Sequence, residues 1–498
     1  MNLEFISAAF SNVFNIIHLA AIFLGIMIGI VIGALPGLSA TMGVALLLPL
    51  TFGMEPELGL PMLIALYCGA MYGGSISAIL LHTPGTSAAA ATCMDGYPMS
   101  NRGEGGRAIG FSLIASFIGG TFSAFLLITV APLLANVSLL FGPSEYFVLS
   151  VLGLTLIATL SSEEWIKGLI SGSIGLFIAT IGIDPMTTIS RFTFGNMNLL
   201  GGISLIVLLI GVFSISQALK LLEKDEKKDA DNFKNIKISG RILPKFSELI
   251  KLKNTIIRSS IIGSIIGAIP GTGGGIACWV GYNEAKRVSK NPESFGTGIP
   301  EGVVASEAAN NAVTGSALIP TLVLGIPGSS VTAVLLGGLI YHGIRPGPRF
   351  ISEFGDLTYT IMISLFVANF FMLFAGALFA KASIQVKRVR GEVLSPFIIV
   401  LSVIGSYAIN NSTFDVILMF IFGIIGYIMI RFKFPVAPMV IALILAPMAE
   451  LGLRQTLLIS RGNWLVFLTK PLSAILLILV VLSLGSAIYK DIKKERLK

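Results

Sequence analysis

Glu307, Asn310 and Asn311 stand inside a largely apolar stretch, residues 303–326. At i, i+3 and i+4 the three share one face of a helix. A carboxylate at membrane depth is costly to bury and marks a site for a cation or a proton. Around it lie two pairs of repeated interruptions. Gly33-Ala34-Leu35-Pro36-Gly37 recurs as Gly267-Ala268-Ile269-Pro270-Gly271, and Thr83-Pro84-Gly85-Thr86-Ser87 recurs as Ile326-Pro327-Gly328-Ser329-Ser330. Pro removes a backbone donor and Gly permits unusual backbone angles, so each copy breaks a helix. Lipid cannot satisfy the released backbone groups, and such a break survives only within protein or against a polar cavity. The half-helix starts after Pro84, Gly85, Thr86 and Ser87 and after Pro327, Gly328, Ser329 and Ser330 suit a carboxylate. With Asn310 and Asn311 they are the expected substrate-binding residues. Carbonyls freed at Gly37, Gly271 and Gly273, with the hydroxyls of Ser39, Thr41 and Thr272, suit Na⁺, and together with Glu307 they are the expected cation-coupling residues. The same glycines would also serve as small-residue packing faces, and Glu307 would be an ordinary helix-start charge if its stretch began at the interface.

These residues must be positioned by a membrane-embedded chain. Of 498 residues, 54% are hydrophobic and 12% charged, about half the roughly 25% charged residues of a soluble domain. Mean hydropathy is +0.88. A spanning helix needs about 20 apolar residues, and such stretches recur throughout. The expected fold is an all-α polytopic membrane protein with about 12 to 14 transmembrane or re-entrant helices, arranged as two inverted-topology repeats with broken helices. Its parts are a first half, 1–220, a charged linker, 221–254, a second half, 255–450, and a C-terminal helix with a basic tail, 451–498. Matching interruptions in two such halves point to a transporter with its site at the repeat interface.

The net charge of +8 reflects basic residues held in cytoplasmic loops and does not require nucleic acid. The linker, the Lys387, Arg388 and Arg390 cluster and the tail are expected in the cytoplasm, with the N-terminus outside. Arg102 is the first basic residue, so no cleaved signal peptide is expected. Counting 255–280 as a crossing puts Lys286, Arg287 and Lys290 on the outer face. Asp95-Gly96-Tyr97-Pro98 and His342-Gly343-Ile344-Arg345-Pro346 read as turns, and Asp184 and Arg191 as loop residues. Cys68, Cys93 and Cys278 imply no disulfide framework, and His18, His82 and His342 lack metal spacing.

Gly33–Phe52, Gly73–Pro98, Gly267–Gly275 and Glu301–Pro348 carry a further signal. Over about residues 15 to 450, in order, the chain resembles the large membrane subunit of the tripartite tricarboxylate transporters, the TctA family. Family members often carry Pro where this chain has Ser306, and Asn where it has His82. The resemblance implies a TctB-like small membrane subunit, a TctC-like extracytoplasmic solute-binding protein and uptake of a small organic carboxylate. It also implies an ion gradient as the driving force, Na⁺ or H⁺, and a place in the cytoplasmic (inner) membrane. No further cofactor is expected. Alternatives are a carboxylate or anion channel and a secondary transporter working without a binding protein. The sequence lacks a phosphate-binding G-x-x-x-x-G-K-[ST] loop, an H-E-x-x-H zinc motif and a G-x-S-x-G nucleophile motif, so an enzyme is not expected.

Overall fold

The glycines of the second helix fix the first part of the architecture. In a computed structural model that describes residues 3–160, 165–223, 242–382 and 391–496, α1 (Leu3–Val13) leads into α2 (Ile16–Ala34). Then come α3 (Ala40–Leu47), α4 (Pro56–Leu81), α5 (Thr92–Met99) and α6 (Gly105–Ser138). A Cβ placed on Gly25, Gly29 or Gly33 would lie 2.3, 2.2 or 2.2 Å from the carbonyl oxygens of Met62, Leu66 and Ala70 respectively. Both series advance by four, so α2 and α4 run parallel at backbone contact, the small-residue packing of membrane helices. Two parallel neighbours in sequence require the segment between them to come back. Thus α2 and α3 form a hairpin whose tip, Leu35–Ser39, lies level with the middle of α4.

The second half repeats this plan. It contains α10 (Phe246–Ala268), α11 (Gly273–Val288), α12 (Pro300–Ser316), α13 (Leu318–Leu324), α14 (Ser330–Tyr341) and α15 (Gly355–Ala382). It is reached through α7 (Pro143–Leu160), α8 (Trp165–Ala179) and α9 (Leu205–Glu223). Thr255 donates to Glu301 (2.9 Å), and Gly263 and Gly267 press on Ala309 and Val313, so α10 and α12 are parallel. Between them α11 runs back: Gly274 faces Asn310, Gly281 faces Ala305, and Ser289 donates to Glu301 at 3.3 Å. Gly37 and Gly271, at equivalent places in the two tips, have φ of +93° and +79°, angles that a residue with a Cβ adopts only under strain.

The two hairpins enter from opposite ends. Leu80 near the end of α4 meets Gly105 at the start of α6, and Ser75 bonds Ser112 (2.6 Å). Further along, α6 runs parallel to α12, with Gly119 on Ala308 and Ser123 on Gly315. Arg107 near the start of α6 pairs with Glu248 near the start of α10 at 2.5 Å. The end where α4 finishes is therefore where the second hairpin begins. Packing is exchanged between halves, since α6 lies on α12 and α15 on α4. After each through-running helix the chain dips back inward: Gly85 donates to the Gly74 carbonyl (3.2 Å) and abuts Gly33, while Gly271 donates to the Gly328 carbonyl (3.0 Å).

Two sequence expectations are corrected. Residues 255–280 do not carry the chain across. The turn at Pro270-Gly271 sends α11 back, so Lys286, Arg287 and Lys290 share an end with Arg102, Arg107, Lys251 and Lys253. Asp95–Pro98 lies in α5 rather than a turn, because the fixed φ of Pro98 is compatible with a helix that continues into a wider turn at Ser100–Glu104. Lys387, Arg388, Arg390 and residues 224–241 of the charged run lie outside the described residues, as do Leu497 and Lys498.

The remaining helices are α16 (Gly391–Asn410), α17 (Thr413–Arg431), α18 (Ala437–Ile459) and α19 (Pro471–Arg496). Among the described residues, seven helices are long and apolar enough to cross a bilayer, accompanied by six shorter apolar ones. The chain is thus an all-α multi-pass membrane protein. Beyond α8, a two-residue hairpin (β1, Gly182–Ile183; β2, Ser190–Arg191) is held by Asp184, which is buried and pairs with Arg454 at 2.8 Å. Arg191 in turn reaches Glu450 at 2.7 Å.

Two outcomes follow from this geometry. Lys253→Cys and Lys290→Cys should be labelled by an impermeant reagent from one side of the membrane and Glu55→Cys from the other; labelling of the Lys290 variant together with the Glu55 variant would break the hairpin assignment. The N–H of Met186, followed by Arg454, holds the Asp184 carboxyl below the usual carboxylate range. Its stabilisation is therefore complete above the ordinary value of about 4 and is lost as pH falls toward the lowered folded value. Proteolysis of residues 181–203 should rise on acidification in the wild type. Asp184→Asn should be cleavable already at neutral pH, and an unchanged acid profile in that variant would contradict the assignment.

Candidate functional site

Every residue of α12 from Gly302 to Ser316 is buried, although the helix carries Ser306, Glu307, Asn310, Asn311 and Thr314. Such a helix is too polar to face lipid and needs α6, α10 and α11 around it. Glu307 is 0% exposed. Thr92, the first residue of α5, donates to its Oε1 at 2.5 Å, and Ser116 of α6 and Asn311 donate to its Oε2 at 3.2 and 3.4 Å. Asn311 also donates to Ser116 (2.8 Å), and Thr92 and Ser306 exchange a bond of 2.9 Å. All of these partners are neutral; among the described residues no cation pairs with Glu307. A carboxylate enclosed this way carries an unbalanced charge, which a bound cation or a proton would remove.

The sequence-predicted residues separate into distinct environments. Glu307, Asn311 and their hydroxyl partners form one cluster. Asn310 also adjoins the Glu307 carboxyl group, with its Nδ2 at 3.5 Å from the Met71 carbonyl and its Oδ1 buried without a partner, toward Gly274. Pro327, Gly328 and Ser329 are buried, as are Gly85 and Thr86, whereas Ser87 is exposed and Pro84 and Ser330 are half-buried. Gly37, Ser39 and Thr41 are half-buried at the first tip, and Gly271 and Gly273 at the second, beside a buried Thr272. Gly33 and Gly267 are packing glycines, each leaving no space for a Cβ. A groove of about 620 Å³ between α1 and α15, lined by Phe10, Phe14, Tyr359, Phe366 and Phe370 among others, is apolar and removed from the tips.

Thr92, Ser116 and Asp95 were missed from the sequence. Asp95 is 0% exposed. Its Oδ1 accepts the backbone N–H groups of Gly296 (3.0 Å), Gly298 (2.8 Å) and Ile299 (3.0 Å), and its Oδ2 the hydroxyl of Tyr282 (2.8 Å). Arg102 donates to the carbonyls of Thr297 and Gly298. The first half's re-entrant helix is thereby tied to the loop that introduces α12, one turn from the Thr92 that touches Glu307. At the other end the matching contact is aromatic, with Phe52 stacked on Tyr341 at 3.7 Å between ring centroids. His82, the left-handed end of α4, stacks on Tyr97, while His342 follows α14.

The sequence profile described as Tripartite tricarboxylate transporter TctA family matches residues 19–441. A protein of Agrobacterium vitis, described as an uncharacterized 52.8 kDa protein in the TAR-I ttuC' 3' region, is 36% identical over 491 residues, covering 99% of this chain and 97% of that protein. An uncharacterized protein in the TAR-II ttuC' 3' region of the same organism is 36% identical over 234 residues, covering 47% of this chain and 97% of that protein. No solved structure matches the chain.

Asp95→Ala leaves three N–H groups without their acceptor and should destabilise the protein in detergent by roughly 2–4 kcal/mol. Asp95→Asn keeps an oxygen for them and should recover part of that loss. Equal midpoints for the alanine variant and the wild type would show that the tie is unimportant.

Proposed function

We propose that this chain, which belongs to the tripartite tricarboxylate transporter TctA family, carries a small organic carboxylate across the cytoplasmic membrane by alternating access, driven by a cation gradient. The observation that supports this most is Glu307: a buried carboxylate with neutral partners only, placed beside the half-helix starts of a repeat interface. Binding of H⁺ or Na⁺ there neutralises the site, and its release restores the cost of a bare charge. That gives the cation a differential affinity for two conformations, which coupling requires. Glu307 is the coupling residue in this reading; of the other expected cation ligands Gly37, Ser39, Thr41, Gly271, Thr272 and Gly273, the Gly37 carbonyl accepts from Gln217 and the Ser39 and Thr272 hydroxyls bond their own backbone, so these would have to exchange partners to hold a cation.

The halves 1–220 and 255–450, linked through 221–254, both contribute helices to each moving part, since α6 lies on α12 and α15 on α4. The end rich in Arg and Lys faces the cytoplasm under the positive-inside rule, with the N-terminus outside and the 451–498 tail inside. A TctC-like binding protein delivers the carboxylate on the outer side, and a TctB-like small subunit completes the membrane assembly.

Uptake into proteoliposomes holding the chain with its small subunit and binding protein tests this. Glu307→Gln should lower gradient-driven accumulation by about tenfold or more while substrate exchange persists. Wild-type accumulation with the same Na⁺ and pH dependence in that variant would overturn the coupling role, and wild-type flux indifferent to any cation gradient would favour a carboxylate channel.

A further inference from the structure

The half-helix starts that face the middle of the bundle are not equivalent. At α3 the Ser39 hydroxyl accepts the N–H of Met42 (3.1 Å), and at α14 the Ser329 hydroxyl accepts the N–H of Thr332 (3.2 Å). Both helices cap themselves, and these serines are committed to that task. The start of α11, like that of α5, differs from these two. No side chain caps it, and the Thr272 hydroxyl turns back to the carbonyls of Ile266 (2.5 Å) and Ile269 (2.9 Å). Its first three residues are Gly273, Gly274 and Gly275, so no Cβ shields their N–H groups.

Polar groups from both halves converge there. Asn310, 0% exposed, turns its unpartnered Oδ1 toward Gly274, where an added Cβ would lie 2.6 Å away. The nearest atoms to a Cβ on Gly275 all belong to Ser87 of the first half, its Oγ at 3.4 Å, and Ser87 is exposed. Ser329 closes the seat beside Gly273, its Cβ 3.5 Å from where a Cβ on Gly273 would lie.

We propose that the start of α11 is the seat of a substrate carboxylate, held by the N–H groups of Gly273–Gly275 and the Ser87 hydroxyl, with the Asn310 Oδ1 accepting from a hydroxyl of the same ligand. Gly273 and Gly275 are half-buried and Gly274 is buried, and an uncapped helix start offers aligned N–H donors and the positive end of the helix dipole to an anion. The Asn310 oxygen is an acceptor and meets a hydroxyl of the ligand, while its NH₂ is turned to the Met71 carbonyl. This moves the main anion contact away from the hydroxyls of Ser329 and Ser330, which shape the wall, and makes the two tips functionally unequal. The inference deepens the transport reading and rests on it for the identity of the anion as cargo.

The test is the charge preference of thiol labelling, which needs no transport. Ser87→Cys is reacted in proteoliposomes with a sulfonate-bearing (anionic) and a trimethylammonium-bearing (cationic) methanethiosulfonate. The wild type, whose three cysteines are buried, is the blank, and Asn291→Cys on the exposed basic loop divides out the general field of that end. The anionic-to-cationic rate ratio at position 87 should exceed that at position 291 by about tenfold. Gly275→Cys, whose Cβ has Ser87 as its nearest neighbour, should show the same preference and serves if the first variant does not fold. A ratio equal to or below the reference, or no reaction at either position, overturns the seat. Preserved preference with no carboxylate uptake would instead overturn the transport reading and leave the anion seat standing.

Discussion

A buried, unpaired carboxylate is the constraint around which this protein is built. Leaving a charge in a low-dielectric interior costs several kcal/mol even after relaxation, and α12 adds Ser306, Asn310, Asn311 and Thr314 to the same burden. No arrangement with α12 against lipid would survive, so α6, α10 and α11 enclose it, and α5 reaches in with Thr92 to touch Glu307. Hydroxyls and one amide satisfy the carboxyl oxygens without balancing the charge. The remaining imbalance is what a transported or coupled cation can exploit.

The enclosure is possible because glycine lets helices touch through their backbones. Gly25, Gly29 and Gly33 on α2, like Gly263 and Gly267 on α10, bring parallel neighbours together so closely that the intervening helix must fold back halfway. Two hairpins result, entering from opposite ends and exchanging partners through α6 and α15. Symmetry of the frame does not extend to its chemistry. If Gly74-Ser75 is matched to Gly315-Ser316, then Glu307, Asn310 and Asn311 fall opposite Leu66, Gly69 and Ala70. At these three positions α12 carries polar side chains where α4 carries none, and the self-capped start of α3 against the uncapped start of α11 is a second inequality.

Much of this was legible in the sequence. The paired Gly-Pro corners, the burial of Glu307 and the membrane class come from residue types and spacing alone. Three things were not. An apolar stretch such as 255–280 has the composition of a crossing whether it passes through the bilayer or turns at Pro270; only the parallel register of α10 with α12 shows the return. Thr92 and Ser116 belong to the other half of the chain, and no local pattern links them to Glu307. Asp95 reads as a turn residue beside Gly96 and Pro98, since its backbone partners lie some two hundred residues away. Likewise, a Ser after Pro-Gly looks identical before folding whether it will cap its own helix or meet a ligand.

The most direct measurement of the central claim is infrared difference spectroscopy of the reconstituted protein, with Glu307→Gln as the spectral control. A carboxyl signal belonging to Glu307 should change when the coupling cation is added or withdrawn, to the protonated acid for H⁺ or to an ion-bound carboxylate for Na⁺. A carboxylate signal from Glu307 that stays constant across pH and Na⁺ would contradict it.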